Sequence, residues 1–509
     1  VANPLKKLAG QTAVYGLSTI VGRLLNYFLI PLYTRMFSPA EFGVVTELYA
    51  YLSFLLIILT YGMETALFNF SLKEKNSDTV YTTALISLFG STLIFLLPIF
   101  FFAQPLATII RHPGNPEYIT WIALIISLDA FTSIPFARLR QQNKAGKFAA
   151  IKMINIGANI GLNLFFIALC KPAYENPDSY FHSMALQIYK PEIGLGYIFI
   201  SNLLASAVAL LLLTPEIFRV KLRFDPLLWK RMMLYALPLL LAGLAGMTNE
   251  TGDRILLKYL LPKNIAEAQV GIYGACYRIS IIMTIFIQTF RYAAEPFFFS
   301  QAKESNSKEI YADVMKFFMI ICSAIFLGTM MNMSWIQSYV GKDFRSGLPV
   351  VPILLLANLC LGIFFNLSIW YKLSGETRYG AYLTLYGAVV TLALNLLWIP
   401  STGYFGGYMG SAWATLICYA TMMVISYFVG QRKYYIRYDL ARILGYLFIS
   451  LTLFALSHFI HTGNAISDLV LKNGLLCVFL AVVFRYEKET VLAMLPRKQI
   501  SKDEDAASN

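Results

Sequence analysis

The sequence predicts an all-α polytopic membrane protein of about fourteen transmembrane helices. Three observations lead there. Hydrophobic residues make up 58% of 509 positions, with a mean hydropathy of +0.61. Nearly the whole chain divides into apolar stretches of about 20 residues, the length a helix needs to cross a bilayer. The short loops between them are basic on alternate sides. Because the bilayer core offers no water to an unpaired backbone, stretches of this kind must be helices.

The predicted spans are 10–33, 42–70, 80–103, 117–137, 148–170, 192–214, 231–257, 270–300, 310–334, 349–371, 379–399, 405–429, 440–460 and 466–484. The first runs past the length of a cleavable signal and reads as a span. Loops on the side of both termini hold 26 Lys and Arg, counting the terminal segments, and the opposite loops hold 9. By the positive-inside rule both termini are cytoplasmic. The longest outward loop, 171–191, is too short for a folded external domain. The net charge of +13 therefore reads as loop charge that sets orientation, not as a nucleic-acid surface.

Other chemistry is sparse. The six cysteines contain no CxxC pair, so neither a disulfide framework nor a zinc site is suggested. The histidines, His112, His182, His458 and His461, form no metal or acid–base cluster in sequence. No phosphate loop is present, so ATP hydrolysis is not expected, and no cofactor is assigned. The chain reads as a transporter and not an enzyme, with no catalytic or metal residues assigned.

The second span opens Glu41-Phe-Gly-Val-Val and the eighth Gln269-Val-Gly-Ile-Tyr, which aligns Gly43 with Gly271. Farther on, Glu64 aligns with Glu295 at nearly the same offset. Spans 1–6 and 7–12 therefore read as two copies. An even number of helices per copy makes the repeat parallel, related by an axis along the membrane normal. The expected domains are an N-terminal lobe, 1–224; a C-terminal lobe, 225–430; helices 13 and 14, 431–485; and a cytoplasmic tail, 486–509.

Ionisable groups inside spans are costly and mark function by default. Arg23 lies near the middle of span 1 and Arg278 in the outer half of span 8. Both are assigned to a cationic cavity, with Arg254 and Lys152 assisting. Asp253 and Arg254, being adjacent, point about 100° apart and are expected to face different surroundings. Arg291 and Glu295 are expected to pair at i, i+4. Lys152, Lys316, Glu64 and Glu295, near the basic end, are expected to snorkel. Lys152, Asn155, Asn159 and Asn163 share an arc of about 80° on span 5 and read as a wet cavity wall. Gly157 and Gly161, on the other side, read as the packed face.

The two-times-six layout plus two spans, an arginine inside span 1, Asp253-Arg254 late in span 7 and Gly271-Ile-Tyr-Gly-Ala-Cys-Tyr-Arg278 resemble the MOP superfamily, most of all its bacterial polysaccharide (O-antigen type) flippases. The resemblance covers about residues 5–485. It implies alternating access by two lobes, movement of an undecaprenyl-pyrophosphate-linked oligosaccharide from the inner to the outer leaflet, and a bacterial inner-membrane location. Membrane lipids would be the surroundings, and sodium or proton the possible coupling ion. Arginine suits such a substrate because its fork gives phosphate two hydrogen bonds. Two relatives fit the same frame. A multidrug and toxin extrusion antiporter would use buried carboxylates such as Asp129 and Glu250. A peptidoglycan-precursor flippase would share the basic cavity. A membrane glycan polymerase fits poorly, for want of an external domain.

Overall fold

The structure is a computed structural model, and it describes residues 21–22, 24–25, 27–302, 304–460 and 462–494, side chains at 296 and 489–494 excepted. Among the described residues, thirteen helices are long and apolar enough to cross a membrane. Most of the first predicted span, including Arg23, lies outside the described residues, as does His461.

In chain order the helices are α1 (Leu29–Met36), α2 (Pro39–Thr60), α3 (Met63–Lys73), α4 (Ser77–Ile109), α5 (Pro116–Gln141), α6 (Ala145–Asn163), α7 (Lys171–Glu175), α8 (His182–Ile188), α9 (Gly196–Phe218), α10 (Pro226–Leu260), α11 (Lys263–Gln301), α12 (Ser307–Met331), α13 (Met333–Ile336), α14 (Val350–Leu367), α15 (Ile369–Leu373), α16 (Arg378–Trp398), α17 (Gly407–Lys433), α18 (Leu440–Ser457) and α19 (Ala465–Met494). A π-helical segment, Leu164–Cys170, joins α6 to α7.

Local sequence explains several starts. Ser38 and Glu41 form a reciprocal capping box ahead of Pro39 at the head of α2, which satisfies two backbone donors that the helix leaves open. Asp225 accepts from the amides of Leu227 and Leu228 at the head of α10, again before a proline. The predicted second span is broken into α2 and α3. Tyr61 and Gly62 take left-handed backbone angles, with φ of 33° and 73°, a conformation that ends a helix at small cost when glycine supplies part of it.

The chain forms two compact units. One comprises 1–304 and 337–435, the other 305–336 and 436–509. In the second unit α12 packs on α18 and α19. Its centre is Glu487, buried and bonded to Lys316 at 2.9 Å and to Arg442 at 3.2 Å, with Tyr446 donating at 2.9 Å. The last helix thus continues past the predicted span end at 484 to Met494.

In the first unit α2 and α11, the equivalent second helices of the two repeats, pack on each other. They meet at the aligned glycines. A Cβ on Gly43 would lie 1.9 Å from the Glu267 carbonyl oxygen, and a Cβ on Gly271 1.9 Å from that of Pro39. Glu267 follows Pro39 by the same offset that relates Gly271 to Gly43, so the contact is its own mirror through the repeat axis. The aligned carboxylates behave alike: Glu64 pairs with Arg140 at the end of α5, and Glu295 with Lys372 in α15. These two carboxylates, together with Lys316 in the second unit, form ion pairs where snorkelling was expected. Away from this axis the helices keep apolar faces outward. Ile94, Leu97 and Phe101 of α4 are exposed, as a lipid-facing surface requires.

Candidate functional site

The cavity in the first unit is built largely on α11. At 39 residues this helix is about 58 Å long, nearly twice the hydrocarbon thickness. Its residues Arg278, Ile281, Ile285, Gln288 and Arg291 recur at three- and four-residue steps and share one face. That face lines a cavity of about 370 Å³ completed by Tyr27, Glu250, Tyr277, Asn358, Phe365 and Tyr419. Arg278 and Arg291 stand thirteen positions apart, about 20 Å along the axis. Among the described residues neither is ion-paired to a carboxylate. Tyr339 donates to the carbonyl of Tyr27 at 2.7 Å. Burial holds its phenol above the ordinary tyrosine range, so it stays a donor.

The sequence-predicted residues divide. Arg278 lines the cavity. Arg291 lines it too, resting on the ring of Phe365 at 3.9 Å. The expected Arg291–Glu295 pair does not form, because Glu295 turns to Lys372 on α15. A tertiary partner displaced the local one. Arg254 is buried beside the cavity: its guanidinium lies 3.0 Å from the Asp253 carboxylate, 4.1 Å over the Tyr277 ring, and bonds the Glu250 carbonyl. Asp253 and Arg254 do neutralise each other, against expectation. The arginine stem is long enough to fold back across the angle between neighbouring positions.

Lys152 lies 4.2 Å over the Phe136 ring. On α6 the expected faces are exchanged. A Cβ on Gly157 or Gly161 would meet nothing within 4 Å. The asparagines are the engaged side: Asn155 donates to the Ala205 carbonyl at 2.8 Å, and Asn163 accepts from Tyr33 at 2.8 Å and donates to the Asn159 carbonyl at 2.8 Å. An asparagine in a bilayer must find partners, and those on α1 and α9 were within reach. Sequence reasoning missed Gln288, Asn358 and Tyr419. The helical spacing from Arg278 points to Gln288, but nothing local marks the other two.

A family model for polysaccharide biosynthesis proteins matches residues 8–302, more than half of the chain. The chain belongs to that family. A curated relative, the succinoglycan biosynthesis transport protein ExoT of Rhizobium meliloti (strain 1021), is 28% identical over 142 residues. The match spans 28% of this chain and 28% of that protein. Among solved structures, the lipid II flippase MurJ in an inward closed conformation superposes with a TM-score of 0.71 at 13% identity, covering 92% of this chain and 98% of that one. An inward-facing multidrug resistance MATE transporter of the MOP superfamily gives 0.63 at 15% identity, covering 81% and 94%. At such identities the likeness establishes the fold. This family member is a multi-pass membrane protein with a fold like that of those two structures.

At the other end of α11 the first unit holds a second polar cluster, unrelated to the cavity. Lys258 is 2% exposed although it was counted as a loop residue, and it contacts Glu47 at 2.9 Å and Glu267 at 2.8 Å. His112 lies 3.1 Å from Glu47 and 3.2 Å from Lys258. His112, assigned to no cluster from sequence, is therefore part of a charged group. Among the described residues no His, Cys, Asp and Glu group suited to a metal occurs, and the Lys258 ammonium occupies the centre of this one.

Proposed function

We propose that this transporter moves a pyrophosphate-linked oligosaccharide on a polyprenyl lipid from the inner to the outer leaflet of a bacterial inner membrane. It does so by alternating access, with both termini cytoplasmic. The observation that carries the reading is the cavity face of α11, with Arg278 and Arg291 at its ends and no carboxylate paired to either among the described residues. Arginine at both ends of a polar cavity matches a phosphate-bearing substrate. Tyr277, Gln288, Asn358 and Tyr419 between them offer ring faces and amides to sugars. The prenyl chain would stay in lipid. Arg23 is proposed as a further phosphate ligand. Lys152 adds positive potential without contact, and Arg254, neutralised by Asp253, holds Tyr277 in place. Short loops between the spans fit a carrier better than a polymerase.

Glu250 in the same cavity favours a second reading, export of an organic cation. Transfer of a labelled undecaprenyl-pyrophosphate oligosaccharide across proteoliposomes, wild type against Arg278→Ala and Arg291→Ala, separates the two. Arginine-dependent transfer supports the flippase. Expulsion of a cationic dye that needs Glu250 and neither arginine would replace it.

A further inference from the structure

The cluster at the start of α11 joins the repeats where no substrate residue lies. Glu47 comes from α2 and His112 from the α4–α5 loop of the first repeat. Lys258 ends α10 and Glu267 begins α11 in the second. Next to it, Arg111 donates to the Lys258 carbonyl at 3.1 Å and lies 5.0 Å from the Tyr259 ring centre. The Tyr51 hydroxyl stands 3.1 Å from Glu47 and 2.8 Å from the Tyr259 hydroxyl. The same end carries the Gly43–Gly271 backbone contact and a hydrogen bond from Arg35 to the Ser338 carbonyl at 2.9 Å. This end of the first unit is shut, and any opening there must pull the cluster apart.

Charge counting gives the cluster its property. Two carboxylates and one ammonium leave a net charge of −1 while His112 is neutral, and zero when it is protonated. Arg111 spends its guanidinium on a carbonyl and a ring and faces neither carboxylate. Side chains of Lys258, Glu47 and His112 are 2%, 1% and 8% exposed, and Glu267 is 33% exposed, so water screens little of the imbalance. The positions suit both states of His112. Its Nε2 stands 3.2 Å from the Lys258 ammonium and 3.1 Å from the Glu47 carboxylate. Neutral, with the proton on Nδ1, it accepts from Lys258. Protonated, it donates to Glu47, while Lys258 keeps its two carboxylates.

We propose that Glu47, His112, Lys258 and Glu267 form a proton-binding latch on this face. One proton from the adjacent water goes onto the His112 imidazole as the face closes, and it returns to water as the face opens. The inference rests on the alternating-access reading. It adds to that reading a proton-dependent return step, set by the pH on the face opposite the basic loops. Closure is favoured at low pH. The advantage falls as pH rises, by up to about tenfold in the closed-to-open ratio per pH unit for one proton.

The test uses the full chain in lipid nanodiscs. Spin labels sit on Asp178→Cys and Asn264→Cys, both exposed, in a Cys477→Ser background. Electron double-resonance distances are measured from pH 5.5 to 8.5, with and without undecaprenyl pyrophosphate. The latch predicts a short-distance population that falls with pH in wild type. His112→Gln should flatten the dependence and hold the protein at its high-pH distribution. A wild-type ratio that does not change with pH while both distances are populated overturns the latch and leaves alternating access standing. An equal slope in His112→Gln overturns it as well. A single short distance under every condition overturns alternating access, and the latch with it. Wild type alone carries the pH test if His112→Gln misfolds.

Discussion

Gly43→Ala tests the repeat axis directly. The new Cβ would stand 1.9 Å from the Glu267 carbonyl oxygen and 2.7 Å from its carbon. The obstacle is backbone, so no side chain can turn away. To restore ordinary contact α2 and α11 must part by about 1.5 Å, and overpacking on that scale costs about 1–3 kcal/mol. Replacing a helical glycine returns up to about 1 kcal/mol of helix propensity, so with that full return the expected net loss is up to about 2 kcal/mol. Gly271→Ala meets Pro39 in the mirrored way and should cost the same. The double variant should cost little more than either single one, because the second methyl enters a gap the first has opened. The assay is thermal unfolding of purified protein in one detergent, with Gly157→Ala as the control that meets nothing within 4 Å. The singles should melt several degrees below wild type and the control at or above it. Full additivity in the double variant, or a control that falls as far as the singles, would refute the shared-axis contact.

Other expectations follow from the same geometry. Arg278→Ala and Arg291→Ala should each slow lipid-linked oligosaccharide transfer by about 10- to 100-fold, the worth of a charge-assisted hydrogen bond to phosphate, with membrane levels unchanged on immunoblots. Lys258→Met leaves Glu47 and Glu267 facing each other without their cation and should destabilise the fold by about 3–5 kcal/mol, read as a lower melting temperature. Adding Glu47→Gln to that variant should recover part of the loss. Glu487→Ala in the second unit leaves Lys316 with Asp313 at 3.2 Å as its remaining partner and should cost about 1.5–3 kcal/mol, the worth of hydrogen bonds to a charged group, measurable as faster proteolysis of the C-terminal helices. Asn163→Leu removes the bonds to Tyr33 and Asn159 and should cost about 0.6–1.7 kcal/mol by unfolding in detergent.

Two kinds of information separate cleanly in this protein. Long apolar runs, the charge alternation of the loops and the offset that relates Gly43 to Gly271 are local or periodic, and they sufficed for the fold class and the repeat. The span that covers α2 and α3 was legible as apolar. The break at Tyr61–Gly62 was not, because hydropathy carries no backbone angles. Arg278 was assigned to a cavity from its place in the outer half of a span with no carboxylate three or four residues away, and in the structure it lines one. Partner choice was a different matter. Glu295 had Arg291 four residues away and took Lys372; Arg254 folded back onto Asp253; the asparagines of α6 bonded α1 and α9 and left its glycines open. Each choice is a competition between a helical neighbour and a residue far along the chain, and its outcome depends on distances only the packed helices define. Glu47, His112, Lys258 and Glu267 are the extreme case. No spacing links four positions spread over more than two hundred residues. They meet because the repeat axis brings the start of α11 against α2, where the low dielectric makes each charge require the others.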